Sequence, residues 1–176
     1  MAWQTRMTPE LAQFIAGRDH FYMGTANAEG RPYIQHRGGP RGFLKVLDEK
    51  TLGYADFAGN QQFVTLGHLS ENDRAFLFLI DYPTRRRVKI RGRARAVADD
   101  PALARSLADP SYRGRVERAI LFEIEEWDAN CPSHIQPRWG AEDLVPAFDR
   151  LEKRIRALEA QVRELGGDPG EFKLPE

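Results

Sequence analysis

The stretch RAFLFLIDYPTRRRVKIRGRARAVA, residues 74–98, decides the fold class of this chain. Its first part, 74–81, is apolar on both faces, which predicts a strand in the middle of a sheet. From 85 to 98 the pattern alternates, with basic side chains on one face and small or β-branched side chains on the other. The stretch therefore predicts two long strands, one core-facing surface and one cationic stripe.

Shorter strands separated by turn residues surround this pair, and no βαβ alternation is present. A short helix with Thr8 as its N-cap and Pro9 at its first position opens the chain. Two more short helices are predicted, near 61–69 with Asn60 as cap and near 101–108. The other predicted strands are 20–26, 31–38, 43–47, 51–56 and 119–127. Together these segments predict a mainly β fold: a barrel of about six antiparallel strands with peripheral helices.

The C-terminal part has a different pattern, which predicts an amphipathic helix. Its apolar residues recur at alternating spacings of four and three, flanked by Glu, Lys and Arg. They are Leu144, Phe148, Leu151, Ile155, Leu158, Val162 and Leu165. This helix packs either on the barrel of its own chain or in a coiled coil with a second subunit. We expect a barrel domain at 1–140 and this helix with its tail at 141–176.

Composition limits the classes of function. The 26 Lys and Arg residues balance the 26 Asp and Glu residues, so no global charge indicates a nucleic-acid or membrane-surface protein. Cys131 is the only cysteine, which excludes an internal disulfide and fits a reducing compartment. The first residues contain no apolar run of signal-peptide or transmembrane length. We therefore expect a cytoplasmic protein that binds neither nucleic acid nor membrane.

The stretch YIQHRGGPRGF, residues 33–43, indicates a binding site. Three strong hydrogen-bonding side chains, Gln35, His36 and Arg37, follow one another at the end of a predicted strand. A solvent-facing hairpin explains the glycines and the proline but not these three residues. A bound ligand explains them.

Two further segments favour an anionic ligand. In ADFAGNQQF, 55–63, a strand ends, Gly59 permits a turn, and a helix start with Gln61 and Gln62 offers free N–H donors. In the cationic stripe, one or two arginines suit a phosphate, whereas most pair with acidic neighbours such as Glu123 and Glu125. Arg37, Arg87 and this helix start are predicted to form one phosphate pocket.

The loop at 130–139 is rich in proline and polar residues, and loops of this kind often lie at sites. Cys131 and His134 lack the further ligands that a zinc site requires, so no metal site is predicted. Trp139 either stacks on a planar group or anchors the loop.

These pieces, from His20 to Trp139, resemble the pyridoxamine 5′-phosphate oxidase-like family of FMN-binding split barrels. The resemblance rests on YIQHRG, YADFAGNQQ and RRVKIRG. It implies a homodimer with FMN in a groove at the subunit interface, outside each six-stranded antiparallel split barrel. The implied cofactor-binding residues are Gln35, His36, Arg37, Ala55, Asp56, Asn60, Gln61, Gln62, Arg87, Lys89, Arg138 and Trp139.

The resemblance also implies a function: a flavoprotein oxidoreductase that moves two electrons between FMN and a reduced nicotinamide, NAD(P)H, or another small molecule. Two departures from the family argue against pyridoxamine phosphate oxidase activity itself. Gln61-Gln62 replaces an Arg-Lys pair, and the arginine-rich C-terminal substrate segment is not recognisable. Three alternatives stay open: a deazaflavin cofactor, haem held by His36, His68 or His134, and a non-catalytic flavin-binding module.

Overall fold

The computed structural model describes residues 3–59, 63–130 and 133–170. The chain forms two compact units, Met1–Gln136 and Pro137–Glu176. The predicted domain boundary at 140 lies four residues after this division. No helix in the described part of the chain combines the length and the apolar composition needed to cross a bilayer.

The first unit contains seven strands and three helices in the described residues. The strands are β1 (His20–Ala26), β2 (Pro32–Gly38), β3 (Lys45–Val46), β4 (Thr51–Phe57), β5 (Arg74–Asp81), β6 (Arg86–Val97) and β7 (Val116–Asn130). The helices are α1 (Pro9–Ala16), α2 (Val64–Glu71) and α3 (Pro101–Leu107), and the second unit adds α4 (Ala141–Glu164).

All seven strands belong to one antiparallel sheet in the order β2-β1-β5-β6-β7-β4-β3. The mainly β antiparallel fold class is confirmed, and β5 lies between β1 and β6 as its apolar faces predict. The sheet has seven strands, one for each of the seven predicted strand segments, where a barrel of about six was expected, and the short β3 pairs with β4 at one edge. Strand β3 is two residues long, whereas a five-residue strand was predicted at 43–47. Phe43 and Leu44 lie before β3, and their side chains are buried in the core.

The sheet is not closed by backbone pairing, because β2 and β3 form its two edges. It curls so that side chains from its two ends meet. The ring of Phe21 on β1 lies 5.5 Å from that of Phe43 and 5.3 Å from that of Tyr54 on β4. This is the split-barrel arrangement, and its core consists of the side chains on the concave face.

Register determines which side chains face that core. Arg37 on β2 pairs with the buried Phe21 on β1, and Val88 on β6 is also buried. Because side chains alternate along a strand, Arg37 lies on the core face of the sheet and Arg87 on the outer face. The basic residues of β6 at 87, 89, 91, 93 and 95 therefore lie on the outer face, as the sequence predicts, whereas Arg86 has the parity of Val88 and its guanidinium lies over the ring of Phe14.

The helices cover the open parts of the barrel. In α1, Thr8 Oγ1 accepts a hydrogen bond from the Leu11 N–H at 3.2 Å, which confirms the predicted cap. Helix α2 begins at Val64, three residues later than predicted, and the predicted cap Asn60 lies outside the described residues. Helix α3 packs on the outer side of β4 and β7, in a second apolar cluster with Ala55.

The second unit consists of α4 and its flanks. The Asp143 carboxylate accepts a hydrogen bond from the Gly140 N–H at 2.9 Å, which fixes the start of the helix. The helix ends in a Schellman motif, with Gly166 at φ 79° and a 2.9 Å hydrogen bond from the Gly167 N–H to the Val162 carbonyl oxygen. Within this unit's described residues no other element covers the apolar face of the helix.

Candidate functional site

A cavity of about 280 Å³ opens at the mouth of the barrel, between the ends of β2 and β4. It brings together five of the residues predicted to bind a cofactor: Gln35, His36, Arg37, Ala55 and Asp56. Gly38, Phe43, Tyr54, Phe57 and Gly59 complete its lining. Four strands separate β2 from β4 in the sheet, so the curling of the barrel creates this cavity.

A buried charge cluster lies at this mouth. Arg37 Nη1 donates to Asp56 Oδ1 at 2.8 Å, and Arg118 Nε lies 3.5 Å from Asp56 Oδ2. Arg118 Nη2 also donates to Glu117 Oε2 at 2.9 Å. The side chain of Asp56 is 9% exposed and that of Arg37 is 14% exposed, so this cluster is largely removed from water. Two guanidinium groups and two carboxylates balance each other.

Burial raises the pKa values of two acidic groups at this site, Asp56 and Tyr54. Desolvation raises the pKa of Asp56 above its ordinary value; Arg37 and Arg118 oppose the shift, and Glu117 adds to it. Burial also raises the pKa of Tyr54, whose hydroxyl donates to Met23 Sδ at 3.5 Å. Burial therefore makes the ionised carboxylate of Asp56 costly, and the two guanidinium groups offset part of that cost.

Two donors of the cluster have no hydrogen-bond acceptor in the described part of the chain. They are the Nε atoms of Arg37 and Arg118, both buried, and the Arg118 Nε keeps only its 3.5 Å ion-pair contact with Asp56 Oδ2. Buried N–H groups are almost always paired, and an unpaired one costs about 1–3 kcal/mol. Such donors beside a cavity indicate a place where an oxygen-rich ligand would bind.

Helix α2 supports the β2 side of this mouth. The Thr65 hydroxyl donates to Gln35 Oε1 at 2.7 Å, and Thr65 is almost completely buried. His68 Nδ1 and Thr25 Oγ1 are hydrogen-bonded at 3.1 Å one turn further along. These contacts hold the Gln35 side chain in place at the cavity wall.

His36 differs from its two neighbours because alternation puts it on the outer face of β2. Its ring stacks on that of His20 at 5.6 Å and meets the edge of Tyr22 at 5.7 Å. The register continues this row from Tyr22 to Phe78 and then to Lys89. Gln35, His36 and Arg37 thus do not share one face, and His36 reaches the cavity only at its rim.

Three residues of the cationic stripe are paired with acids, as predicted for most of the stripe. Lys89 Nζ lies 3.5 Å from Asp128, and Arg91 Nη1 lies 2.7 Å from Glu126. Arg93 contacts both Asp73 at 2.8 Å and the predicted partner Glu125 at 3.0 Å. These ion pairs explain Lys89, Arg91 and Arg93 without a ligand.

The prediction of one phosphate pocket built from Arg37 and Arg87 is wrong. Arg87 faces the outer side of the sheet, opposite to Arg37, and it does not line the cavity. Side chains alternate along each strand as predicted. The sequence does not show, however, which residues of two distant strands lie on the same face of the sheet. Ala55 lines the cavity, although its side chain packs in the α3 cluster.

The remaining predicted residues lie elsewhere. Asn60, Gln61 and Gln62 are outside the described residues, as is Cys131. Arg138 and Trp139 belong to the second unit, before α4. Their roles at a cofactor site stay predictions.

Sequence reasoning missed Arg118 and Thr65. The predicted last strand began at Ala119, so Arg118 fell outside it, whereas β7 begins at Val116. The buried positions Ile120, Phe122 and Ile124 alternate, and one further step back along this pattern reaches Arg118. A cation on a core-facing position was the signal that could have identified it.

The sequence was compared with known proteins. Residues 7–131 match the family model of pyridoxamine 5′-phosphate oxidase. The chain belongs to the pyridoxamine 5′-phosphate oxidase family. No curated protein matches the sequence.

Solved structures with this fold are similar at low identity. HupZ of Group A Streptococcus is 17% identical, with a TM-score of 0.57 over 76% of this chain and 99% of that chain. A putative pyridoxamine 5′-phosphate oxidase from Lactobacillus delbrueckii is 19% identical, with a TM-score of 0.53 over 71% and 99%. An FMN-binding protein from Syntrophomonas wolfei is 10% identical, with a TM-score of 0.53 over 69% and 87%. They share the split-barrel fold with this member of the family.

Proposed function

We propose that this protein is an FMN-binding flavoprotein and a two-electron oxidoreductase that uses a reduced nicotinamide or a small organic substrate. The observation that carries the proposal is a pair of buried Nε donors: that of Arg37, which lines the mouth cavity, and that of Arg118, which contacts the lining residue Asp56. Membership of the family supports the same assignment.

The cavity fits the phosphate end of such a cofactor. Sites that enclose a whole drug-sized ligand measure about 300–1,000 Å³, so a cavity of about 280 Å³ accommodates one end of FMN. Guanidinium groups match phosphate oxygens in geometry as well as in charge. Arg37 and Arg118 would hold the phosphate, with Gln35 at the cavity wall.

The attraction for phosphate would come from hydrogen-bond donors more than from net charge. Asp56 and Glu117 already offset the charges of Arg37 and Arg118. Burial raises the pKa of Asp56, so its ionised carboxylate depends on Arg37 and Arg118 for stabilisation. Asp56 would position the two arginines.

The outer face supports the other parts of the proposal. His36 and Lys89 lie in one row with Tyr22 and Phe78, which offers aromatic surface for a planar ring. We propose a homodimer because the resemblance to the family implies one, and Ile34, which is 68% exposed beside this row, would lie at its interface. When bound, FMN would supply the two-electron chemistry, and the residues named here would bind it, orient it and exclude water.

Titration of the purified protein with FMN and with riboflavin tests the phosphate site. We expect FMN to bind at least about 10-fold more tightly, because each charge-assisted hydrogen bond contributes about 1.5–3 kcal/mol. Fluorescence quenching measures both affinities. Equal affinities would contradict the phosphate site, and an intense Soret band in the absorption spectrum would indicate haem instead of flavin.

Single substitutions identify the residues that make FMN bind more tightly than riboflavin. Arg37→Gln and Arg118→Gln should weaken FMN binding while riboflavin binding changes little. Arg93→Gln is the matched control, because Arg93 is exposed and paired with two acids. Loss of FMN in Arg87→Ala but not in Arg95→Ala would support a contact from the outer face. Turnover with NADH or NADPH separates an oxidoreductase from a flavin carrier.

A further inference from the structure

The helix α4 carries a complete heptad seam on one face. With Phe148 at position a, the a positions are Phe148, Ile155 and Val162, and the d positions are Leu144, Leu151, Leu158 and Leu165. The seam runs from Leu144 to Leu165, and α4 spans 141–164 as one continuous helix. A helix with such a stripe is stable in water when another surface covers it.

We propose that α4 pairs with α4 of a second copy of this chain as a parallel, in-register, two-stranded coiled coil. The first argument is the choice of side chains along the seam. β-branched residues at a with leucine at d favour a parallel dimer, and Ile155, Val162 and the four leucines follow this rule. Phe148 at the first a position is the one departure.

The second argument is the charge beside the seam. The e positions of the last two full heptads are Glu152 and Glu159, and the g position between them is Arg154. In a parallel coil, position g of one helix faces position e of the next heptad on the other helix. Arg154 of one copy then faces Glu159 of the second copy, and this contact occurs twice.

The same charges disfavour the antiparallel arrangement. There, e positions face e positions, so Glu152 and Glu159 of the two copies would meet each other. Like charges at that spacing are destabilising. Charge complementarity therefore selects both the partner, an identical helix, and its direction.

The acids at the two e positions also pair within their own helix. Glu152 pairs with Arg156, and Glu159 lies 3.9 Å from Arg163, both at i,i+4 with the acid first. The Schellman motif at Gly166 ends the helix directly after the last d position. This proposal uses no residue of the mouth cavity, so it stands or falls separately from FMN binding.

Disulfide trapping tests the orientation. In full-length protein with Cys131→Ser, Val162→Cys at position a should give a covalent dimer under mild oxidation. The control Ala160→Cys, at the outer position f, should give little. In an antiparallel coil, position a lies opposite position d, so residue 162 would lie opposite residue 151, about 16 Å along the axis from its own counterpart. Absence of the Val162→Cys dimer, or equal trapping at 160 and 162, would overturn the proposal.

Sedimentation equilibrium tests the partner. The double variant Leu151→Glu/Leu158→Glu should weaken self-association by at least about 100-fold, since it puts four charges into the seam. The control Lys153→Glu/Ala160→Glu changes outer positions only and should shift association by no more than a few-fold. If α4 covers its own barrel, the seam variant lowers the melting temperature and leaves association unchanged, which would overturn the proposal. Unchanged association with an unchanged melting temperature would overturn it as well.

Discussion

Two arginine–aspartate pairs of the barrel are alike in distance and burial but differ in chemistry. Arg18 and Asp81 lie 3.1 Å apart, and Arg37 and Asp56 lie 2.8 Å apart. All four side chains are between 9% and 15% exposed. From residue types and distances alone, the two ion pairs would be expected to behave alike.

They differ in how completely their polar atoms are satisfied. Arg18 also donates to the carbonyl oxygens of Phe14 and Ile80, both at 3.3 Å, and the Thr84 hydroxyl donates to Asp81 at 2.6 Å. Desolvation alone would raise the pKa of Asp81, but the hydrogen bonds from Thr84 and Arg18 and the charge of Arg18 lower it. A buried ion pair whose polar atoms have hydrogen-bond partners stabilises the fold. By contrast, a pair with unsatisfied donors beside a cavity is suited to a ligand.

The largest expected effect comes from breaking the mouth cluster. Asp56→Ala removes the carboxylate between Arg37 and Arg118 and leaves two buried guanidinium groups short of a partner. We expect a loss of about 3–5 kcal/mol in the free energy of unfolding, measured by urea denaturation without flavin. Asp73→Ala is the control, because its pair with Arg93 is exposed and should cost at most about 1 kcal/mol. Similar losses in both variants would show that burial does not distinguish these clusters.

A smaller effect is expected at the satisfied pair. Asp81→Ala should cost about 1.5–3 kcal/mol of unfolding free energy, because Arg18 keeps its two backbone acceptors. Thr84→Val should act in the same direction by about 0.5–1.5 kcal/mol, since it removes one hydrogen bond. Urea denaturation measures both. A loss at Asp81 that exceeds the loss at Asp56 would reverse the comparison.

The smallest expected effect is a difference in how the contributions of Asp56 and Asp81 to protein stability depend on pH. The folded-state pKa of Asp56 lies above its ordinary value of 3.8, so the pH-dependent part of its contribution to stability is present below 3.8 and is lost as the pH rises through that folded-state pKa. For Asp81 the folded-state pKa is lowered, so its contribution is present above 3.8 and is lost as the pH falls through it.

Urea denaturation between about pH 2 and pH 7 checks the signs. Relative to Asp56→Asn, the wild-type protein should become more stable toward acid. Relative to Asp81→Asn, it should become less stable toward acid. Differences of the same sign would mean that the two carboxyl groups do not differ as described.

The fold was predictable where it depends on local patterns. Residues 74–81 and 85–98 could be assigned because apolarity and period-two alternation are properties of a single strand. The contact between Arg37 and Asp56 could not be derived in that way, because four strands separate β2 from β4 and only the curvature of the whole sheet joins them. The prediction that Arg87 shares a pocket with Arg37 was wrong for the same reason.

The open edge of the sheet has one more consequence. Strand β2 pairs with β1 alone, so the backbone N–H and C=O groups along its other side are a template on which a stray strand could assemble. Proline at an edge cannot donate, and charged or inward-pointing polar side chains discourage such growth. Pro32 begins β2, and Gln35 and Arg37 are its inward-facing polar residues. Residues assigned to the ligand thus also disfavour strand addition at this edge, so a substitution at Gln35 or Arg37 would affect both properties.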